Sequence, residues 1–291
     1  VSTAEAVGAE TTMSATRPPA RGPAAPGRRR GRPALGRALS RRQYILTAIV
    51  GFLALLVVWT AVSLSGLVQP LFLPSPIAVA AKLGEQAANG ELWSDMGVSI
   101  YRVMVGYLVA SAIAIPIGIL CGSFSRIEAA IEPIMDFIRY MPVVAFVPLT
   151  ILWVGTDDSQ KFLIIFLGTF FQQVLMFADA VRQVPSSYRN LGATLGLSSR
   201  QILARIVFPS ALPRIWDALR ISLGWAWTWL VVAELVAATS GMGYRITQGQ
   251  RFLETDLIIG YVIVLGVLGL VFDQIMRGLG RRFFRYLKGR S

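Results

Sequence analysis

Five stretches of this chain, residues 44–64, 103–122, 162–181, 221–239 and 257–276, each run for about 20 residues with at most one charged side chain. That is the length an α-helix needs to cross a hydrocarbon core roughly 30 Å thick. Lipid offers no hydrogen bonds, so a spanning segment must satisfy its backbone internally, as a helix or within a closed barrel. Uninterrupted apolar runs of this length point to the helix. A sixth stretch, 127–155, is longer and less clean. Glu128, Glu132, Asp136 and Arg139 lie in its first half, and Pro142 and Pro148 in its second. It reads as one span with a proline-disturbed backbone, tolerable where protein or a water-filled cavity covers it. The expected fold is an all-α polytopic membrane protein with six transmembrane helices. Composition agrees: 15% of residues are charged against 54% hydrophobic, whereas soluble domains carry about 25% charged residues.

Basic loops stay on the cytoplasmic side, so the net charge of +12 becomes an orientation signal. With the N-terminus inside, the inner segments hold nine arginines in residues 1–43 and Arg126. They also hold Arg182, Arg189, Arg200, Arg205, Arg214 and Arg220, and six basic residues in 277–290. The outer segments hold only Lys82, Arg102, Lys161, Arg245 and Arg251. Both termini are therefore expected in the cytoplasm. The same distribution argues against a nucleic-acid partner, since the basic tail carries no stacking aromatics.

The chain has no histidine and one cysteine, Cys121. Imidazole bases, Ser-His triads, histidine metal sites and an internal disulfide are thereby excluded. Residues 1–43, rich in Pro, Gly, Ala and Arg, are expected to form a disordered cytoplasmic tail, and 281–291 a second basic tail. Ser40-Arg41-Arg42-Gln43-Tyr44-Ile45 has the outline of a twin-arginine signal. The apolar run after it is longer than a signal core and no A-x-A-like site follows, so it reads as a retained first span. In the outer loop, Leu73-Pro74-Ser75-Pro76 predicts a capped short helix over 77–83. No internal repeat is strong enough to argue an inverted-repeat transporter.

The one large inner loop, 182–220, is the informative one. Residues 188–199 and 200–208 read as two short helices separated by Gly196, a left-handed turn residue, with Ser198 or Ser199 capping the second. Ile202, Ile206 and Val207 give the second helix a buried face, and Pro209 and Pro213 are expected to stop it. Such a compact knob is either a surface to be gripped or a linker.

Gly196, nine intervening residues, Ile206 and then Pro209 resemble the cytoplasmic loop signature of ABC-importer permeases. Leu73-Pro74-Ser75-Pro76, Ile115-Pro116-Ile117-Gly118 and Arg139-Tyr140-Met141-Pro142 with Pro148 and Trp153-Val154-Gly155 are similar to the sulfonate/taurine/nitrate-type branch. Residues 225–234 and Gly241-Met242-Gly243-Tyr244 continue the likeness, which runs over about residues 45–280. The resemblance implies a type I importer transmembrane domain working as a dimer of permease subunits. It also implies two cytosolic ATPase subunits and an extracytoplasmic binding protein. ATP and magnesium would reside on the ATPases, and no cofactor on this chain. The family's Glu-Ala-Ala positions are Asn190-Leu191-Gly192 here, so an acidic contact at 190 cannot be carried over. The chain's own residues agree that a motor must be separate: none of its lysines, Lys82, Lys161 and Lys288, follows a glycine-rich phosphate loop.

Ionisable groups at membrane depth are costly and face a cavity or a partner. Asp136 and Arg139 are spaced to pair on one helix face, next to a backbone break at Met141-Pro142. Arg139 fits either a cationic site for an anionic solute or a structural ion pair with Asp136 or Glu234. Trp227 and Glu234 share one face of the fifth span, and Trp225 and Trp229 the neighbouring one. These tryptophans suit a gate or stacking surface, or plain packing. Gln172 and Gln173 offer uncharged hydrogen bonds to a path or to another helix. Asp179 and Asp273 are expected to form interfacial pairs with Arg182 and Arg277, and Cys121 to serve packing.

Together these features describe a permease subunit for a small anionic solute. A self-sufficient secondary transporter or channel is the alternative. A membrane enzyme would have to work with carboxylates alone.

Overall fold

The computed structural model describes residues 40–285, so residues 1–39 of the tail expected over 1–43 and residues 286–291 of the tail expected over 281–291 lie outside the described residues, while 41–43 and 281–283 are helical. The chain divides into two units, Val1–Gly51 and Phe52–Ser291. The first contributes the opening turns of helix α1 (Arg41–Leu64), which begins within the twin-arginine-like segment. Ser63 is the only buried residue of α1. A helix that is apolar all round and so exposed is built to face lipid.

The second unit is a helical bundle. Past α1 come α2 (Pro76–Ala88), α3 (Glu91–Ser123), α4 (Ser125–Arg139), α5 (Val147–Val154) and α6 (Asp158–Arg182). They are followed by α7 (Ser186–Thr194), α8 (Ser199–Ile202), α9 (Phe208–Ala237), α10 (Met242–Phe252) and α11 (Thr255–Phe283). Ser75 caps α2, accepting from the Ala78 amide, with Pro76 at the first helical position as expected. The Trp59 indole donates to the Pro74 carbonyl at 3.0 Å and ties α1 to this turn. Helix α10 was not expected from the sequence; it is short, polar and lies between two spans.

The core is the contact of α3 with α6. Small residues on α3 let the two backbones approach: a Cβ on Gly118 would stand 2.6 Å from the Phe177 Cβ and 2.8 Å from the Val174 carbonyl. At Gly122 it would meet the Ala178 carbonyl at 2.5 Å. Between apolar helices in lipid this close packing, rather than water exclusion, supplies the attraction. Helix α9 joins through a buried triad in which the Gln173 amide donates to Ser111 Oγ at 2.9 Å and Ser222 Oγ at 3.0 Å.

Two expectations need correction. Residues 127–155 are not one continuous helix: α4 ends at Arg139, a 3₁₀ turn covers Val143–Phe146, and α5 leaves at 85° to α4. Pro142 lacks the amide that would continue α4 and biases Met141 away from helix. Pro148, in the first turn of α5, suits a fresh helix start instead. Among the described residues, five helices are therefore long and apolar enough to cross a membrane, or six if the bent pair counts as one.

The second correction concerns Pro209 and Pro213, which do not stop the inner-loop helix. A π turn over Leu203–Val207 joins α8 to α9, so residues Ser199–Ala237 form one 39-residue rod. The wider π turn sits just before Pro209, where an ordinary α turn would crowd the proline ring against the carbonyl four residues back. Pro213, one turn later, is carried inside α9.

The α3–α6 contact gives the first prediction. Gly118→Leu forces that interface apart and should lower the detergent-solubilised midpoint of thermal unfolding, at a cost of about 1–3 kcal/mol or more. Leucine at exposed Gly224, where nothing lies within 4 Å of a Cβ, should leave the midpoint unchanged.

Candidate functional site

The α4–α5 break opens a cavity of about 930 Å³ against α6 and α9. Arg139, Tyr140, Met141 and Pro142 form its broken side, Gly168, Phe171 and Gln172 come from α6, and Trp225, Thr228 and Trp229 from α9. Gly168 leaves room for the Trp229 indole, since a Cβ there would stand 2.3 Å from the ring's Cγ and Cδ1. Arg139 is the only charged residue on the wall. Its Nε pairs with Asp136 at 2.9 Å, its Nη2 donates to the Tyr140 hydroxyl at 3.0 Å, and its guanidinium lies 4.7 Å from the centre of the Tyr140 ring.

The candidates read from sequence separate cleanly. Asp136 and Arg139 do pair. Gln172, Trp225 and Trp229 reach the cavity. Gln173 and Trp227 do not: Gln173 is fully buried in the α3–α6–α9 triad, and Trp227 packs on Phe272 of α11 with ring centres 5.4 Å apart. The helical period explains this, since consecutive residues on α6 and positions two apart on α9 fall on different faces.

Nor does Glu234 pair with Arg139. Glu234 is fully buried and accepts from Arg102 Nη1 at 2.8 Å, Ser99 Oγ at 3.0 Å and the Gly243 amide at 2.8 Å. Arg102 also reaches Asp158 at 2.7 Å and the Ser240 carbonyl at 2.7 Å. Asp95 accepts from the Gly241 amide, Arg245 and the Tyr261 hydroxyl. Lys161 closes the group by donating to the Ala237, Asp157 and Thr156 carbonyls. One cluster thus ties together the starts of α3, α6, α10 and α11 and the end of α9. On α10, burial pulls the Arg245 pKa down, but the hydrogen bond and charge of Asp95 outweigh it and hold the guanidinium above its ordinary value.

Arg102, Asp95 and Lys161 were missed as site residues because each looked like ordinary loop charge. A usable signal was present: Glu234 lies five residues inside the end of its run and Arg102 one residue outside the end of another, a depth difference of about 9 Å that a long arginine side chain can narrow. The expected pairs of Asp179 with Arg182 and Asp273 with Arg277 are present at 2.7 Å and 3.1 Å. Arg182 is also held by Glu128 and Glu132, both at 2.6 Å, which anchors α4 to α6.

At the other end, α7 and α8 form the expected knob. Gly196 has φ of +74°, and no atom lies within 4 Å of where its Cβ would be. Ser198 and Gln201 make a full capping box. Gly192, buried, seats Ile202 and Ile206: a Cβ there would stand 2.7 Å from Ile206 Cδ1. Asn190, Leu191 and Leu195 stay exposed, as does Pro209, while Pro213 is half-buried.

Residues 114–285 match the family of binding-protein-dependent transport system inner membrane components. This chain belongs to that family. It is 33% identical over 80% of its length, and 84% of the relative's, to a chain from Bacillus subtilis that carries the name aliphatic sulfonates transport permease protein SsuC. It is 34% identical to the taurine transport system permease protein TauC of Escherichia coli, over 81% of this chain and 88% of that one. In fold it is similar to a chain of the MetNI methionine ABC transporter in inward-facing conformations. There the TM-score is 0.52 and the identity 19%, over 62% of this chain and 92% of that one. The chain is thus a multi-pass inner-membrane permease of an ABC importer, a transport subunit rather than an enzyme.

The two charge sites of this permease should respond differently to mutation. Glu234→Ala leaves Arg102 with a buried charge short of its partner and should destabilise the protein by about 3–5 kcal/mol. Arg139→Ala breaks a half-exposed pair worth about 0–1 kcal/mol. Chemical denaturation of both variants in micelles checks this; equal losses would contradict the division.

Proposed function

We propose that this permease forms, with a second and identical copy, the translocation path for a small anionic solute of sulfonate, taurine or nitrate type. An extracytoplasmic binding protein delivers the solute, and two cytosolic ATPase subunits carrying ATP and magnesium drive the cycle. Residues 44–280 are the permease domain and 182–220 its coupling loop, with both termini in the cytoplasm, as the arginine distribution favours. The relatives named for sulfonates and taurine support the cargo class.

One observation carries this reading: the Ser199–Ala237 rod, about 58 Å long at 1.5 Å per residue. Its lower end is in the knob, its middle supplies Trp225 and Trp229 to the cavity wall, and its upper end holds Glu234 in the outer cluster. A push on the knob is delivered to the cavity by a helix that neither Pro209 nor Pro213 interrupts. The outer cluster gives the rod a fixed point. Alternation between inward-open and outward-open states then needs only rigid-body rocking of packed helices.

Asn190 stands where the family signature has an acid, so docking rests on the Gly196 turn and on exposed Leu191 and Leu195. Gly196→Trp places a bulky side chain at a positive-φ turn on the docking face. It should abolish ATP-driven uptake in cells while leaving membrane insertion and copy number unchanged. Uptake at the wild-type rate would overturn the coupling role.

A further inference from the structure

The α9 rod is not the only link between the knob and the cavity. Helix α4 stands between two backbone breaks: a single extended residue, Phe124, separates it from α3, and Tyr140-Met141-Pro142 ends it at the cavity. Its 15 residues make a strut about 22 Å long at 1.5 Å per residue. None of them is buried. Ile127, Ile131 and Met135, one turn apart, rest part-buried on the core formed by α3, α6 and α9. Helices packed through such a stripe can slide past their neighbours in small shear steps.

What sets α4 in place is charge. Glu128 and Glu132, also one turn apart, both hold Arg182, the last residue of α6, at 2.6 Å. Glu132 meets the guanidinium with both oxygens, the second lying 3.3 Å from Nη2. Asp179 accepts from Nη2 at 2.7 Å, so the guanidinium is also fixed from its own helix. A forked arginine–carboxylate contact specifies orientation, which a point charge does not. At 29% exposure the arginine adds little to stability. Its effect is on where α4 stands.

Arg182 also sits at the root of the knob. Three residues separate it from α7; among them Val184 is buried, and the Gln183 carbonyl accepts from Arg214 Nη1 of α9 at 2.9 Å. A displacement of α7 and α8 thus bears on the residue to which α4 is tied. At the far end of α4 the next acid in the row, Asp136, pairs with Arg139 on the cavity wall. All of these contacts lie within one copy, so they do not depend on what a second copy adds to the path.

We propose that Arg182 is a positioning residue for transport. By locking α4 to the root of the knob, it makes α4 a second lever, beside the α9 rod, that carries the knob's movement to the broken side of the cavity. The lever turns at Phe124 and at the Pro142 break, and it rests on the importer reading above.

The test follows amide hydrogen exchange in the full-length permease assembled with its ATPase subunits in nanodiscs. One sample is free of nucleotide and the other is trapped with ATP, magnesium and orthovanadate. In the unaltered assembly, trapping is expected to shift exchange over both the knob (186–208) and the broken segment (140–146). Arg182→Gln, and Arg182→Lys, which keeps the charge but not the fork, should retain the shift over the knob and lose the shift over 140–146. Combining Arg182→Glu with Glu132→Arg rebuilds one arginine among three carboxylates and should restore it. A merely structural Arg182 gives a different pattern: its loss raises exchange over 125–139 in both states and leaves the trapping shift at 140–146 intact. That pattern would overturn the proposal, and so would an intact swapped assembly that shows no restoration. A broken segment that never responds to trapping in the unaltered assembly, while the knob does, would overturn it even if no variant assembled. A knob indifferent to trapping in the unaltered assembly would instead sink the importer reading.

Discussion

Glu234, a carboxylate without exposed surface, can exist on a membrane helix only because Arg102, Ser99 and the Gly243 amide converge on it. An unpaired charge at that depth would cost several kcal/mol, so the elements that supply the partners are held in register by the same need. Arg102 fixes α3 against α9 and, through Asp158, against α6; Gly243 fixes α10. Asp95 and Tyr261 extend the grip to α11. The elements at that end of the bundle are thereby tied to one another, and the broken segment between α4 and α5 and the α7–α8 knob lie outside that grip.

These regions divide the chain by kind of force. The α3–α6 seam depends on the absence of side chains at Gly118 and Gly122, and a single methyl group would disturb it. The cavity depends on a covalent fact, the proline that ends α4. The knob depends on one left-handed glycine and a capping box. None of these supplies energy. The sequence holds no phosphate loop in which nucleotide could be spent, which agrees with the proposed reading of a separate motor docked at α7 and α8.

The spans, the inner loop and the Asp136–Arg139 pair were legible in the sequence, because they are local: runs of apolar residues, a Gly-Leu-Ser turn, an i, i+3 spacing. What escaped was non-local or a matter of degree. Glu234's partner could not be read by asking which charge lies inside a span, since Arg102 sits just outside one. Allowing a long arginine side chain to reach inward from a span's edge would have found it. Pro209 and Pro213 were read as stops because proline usually is one, yet a π turn immediately upstream lets the helix continue. Gln173 and Trp227 differ from Gln172 and Trp225 only in which face they occupy, and which face packs is decided by α3 and α11, far away in the chain.

The central claim, a pathway without an energy source of its own, is tested most directly in proteoliposomes. The purified chain alone should equilibrate solute at most, and should accumulate it against a gradient only when the ATPase subunits, the binding protein and ATP are all supplied. Accumulation by the chain alone, sustained by an imposed ion gradient and indifferent to ATP, would contradict the account.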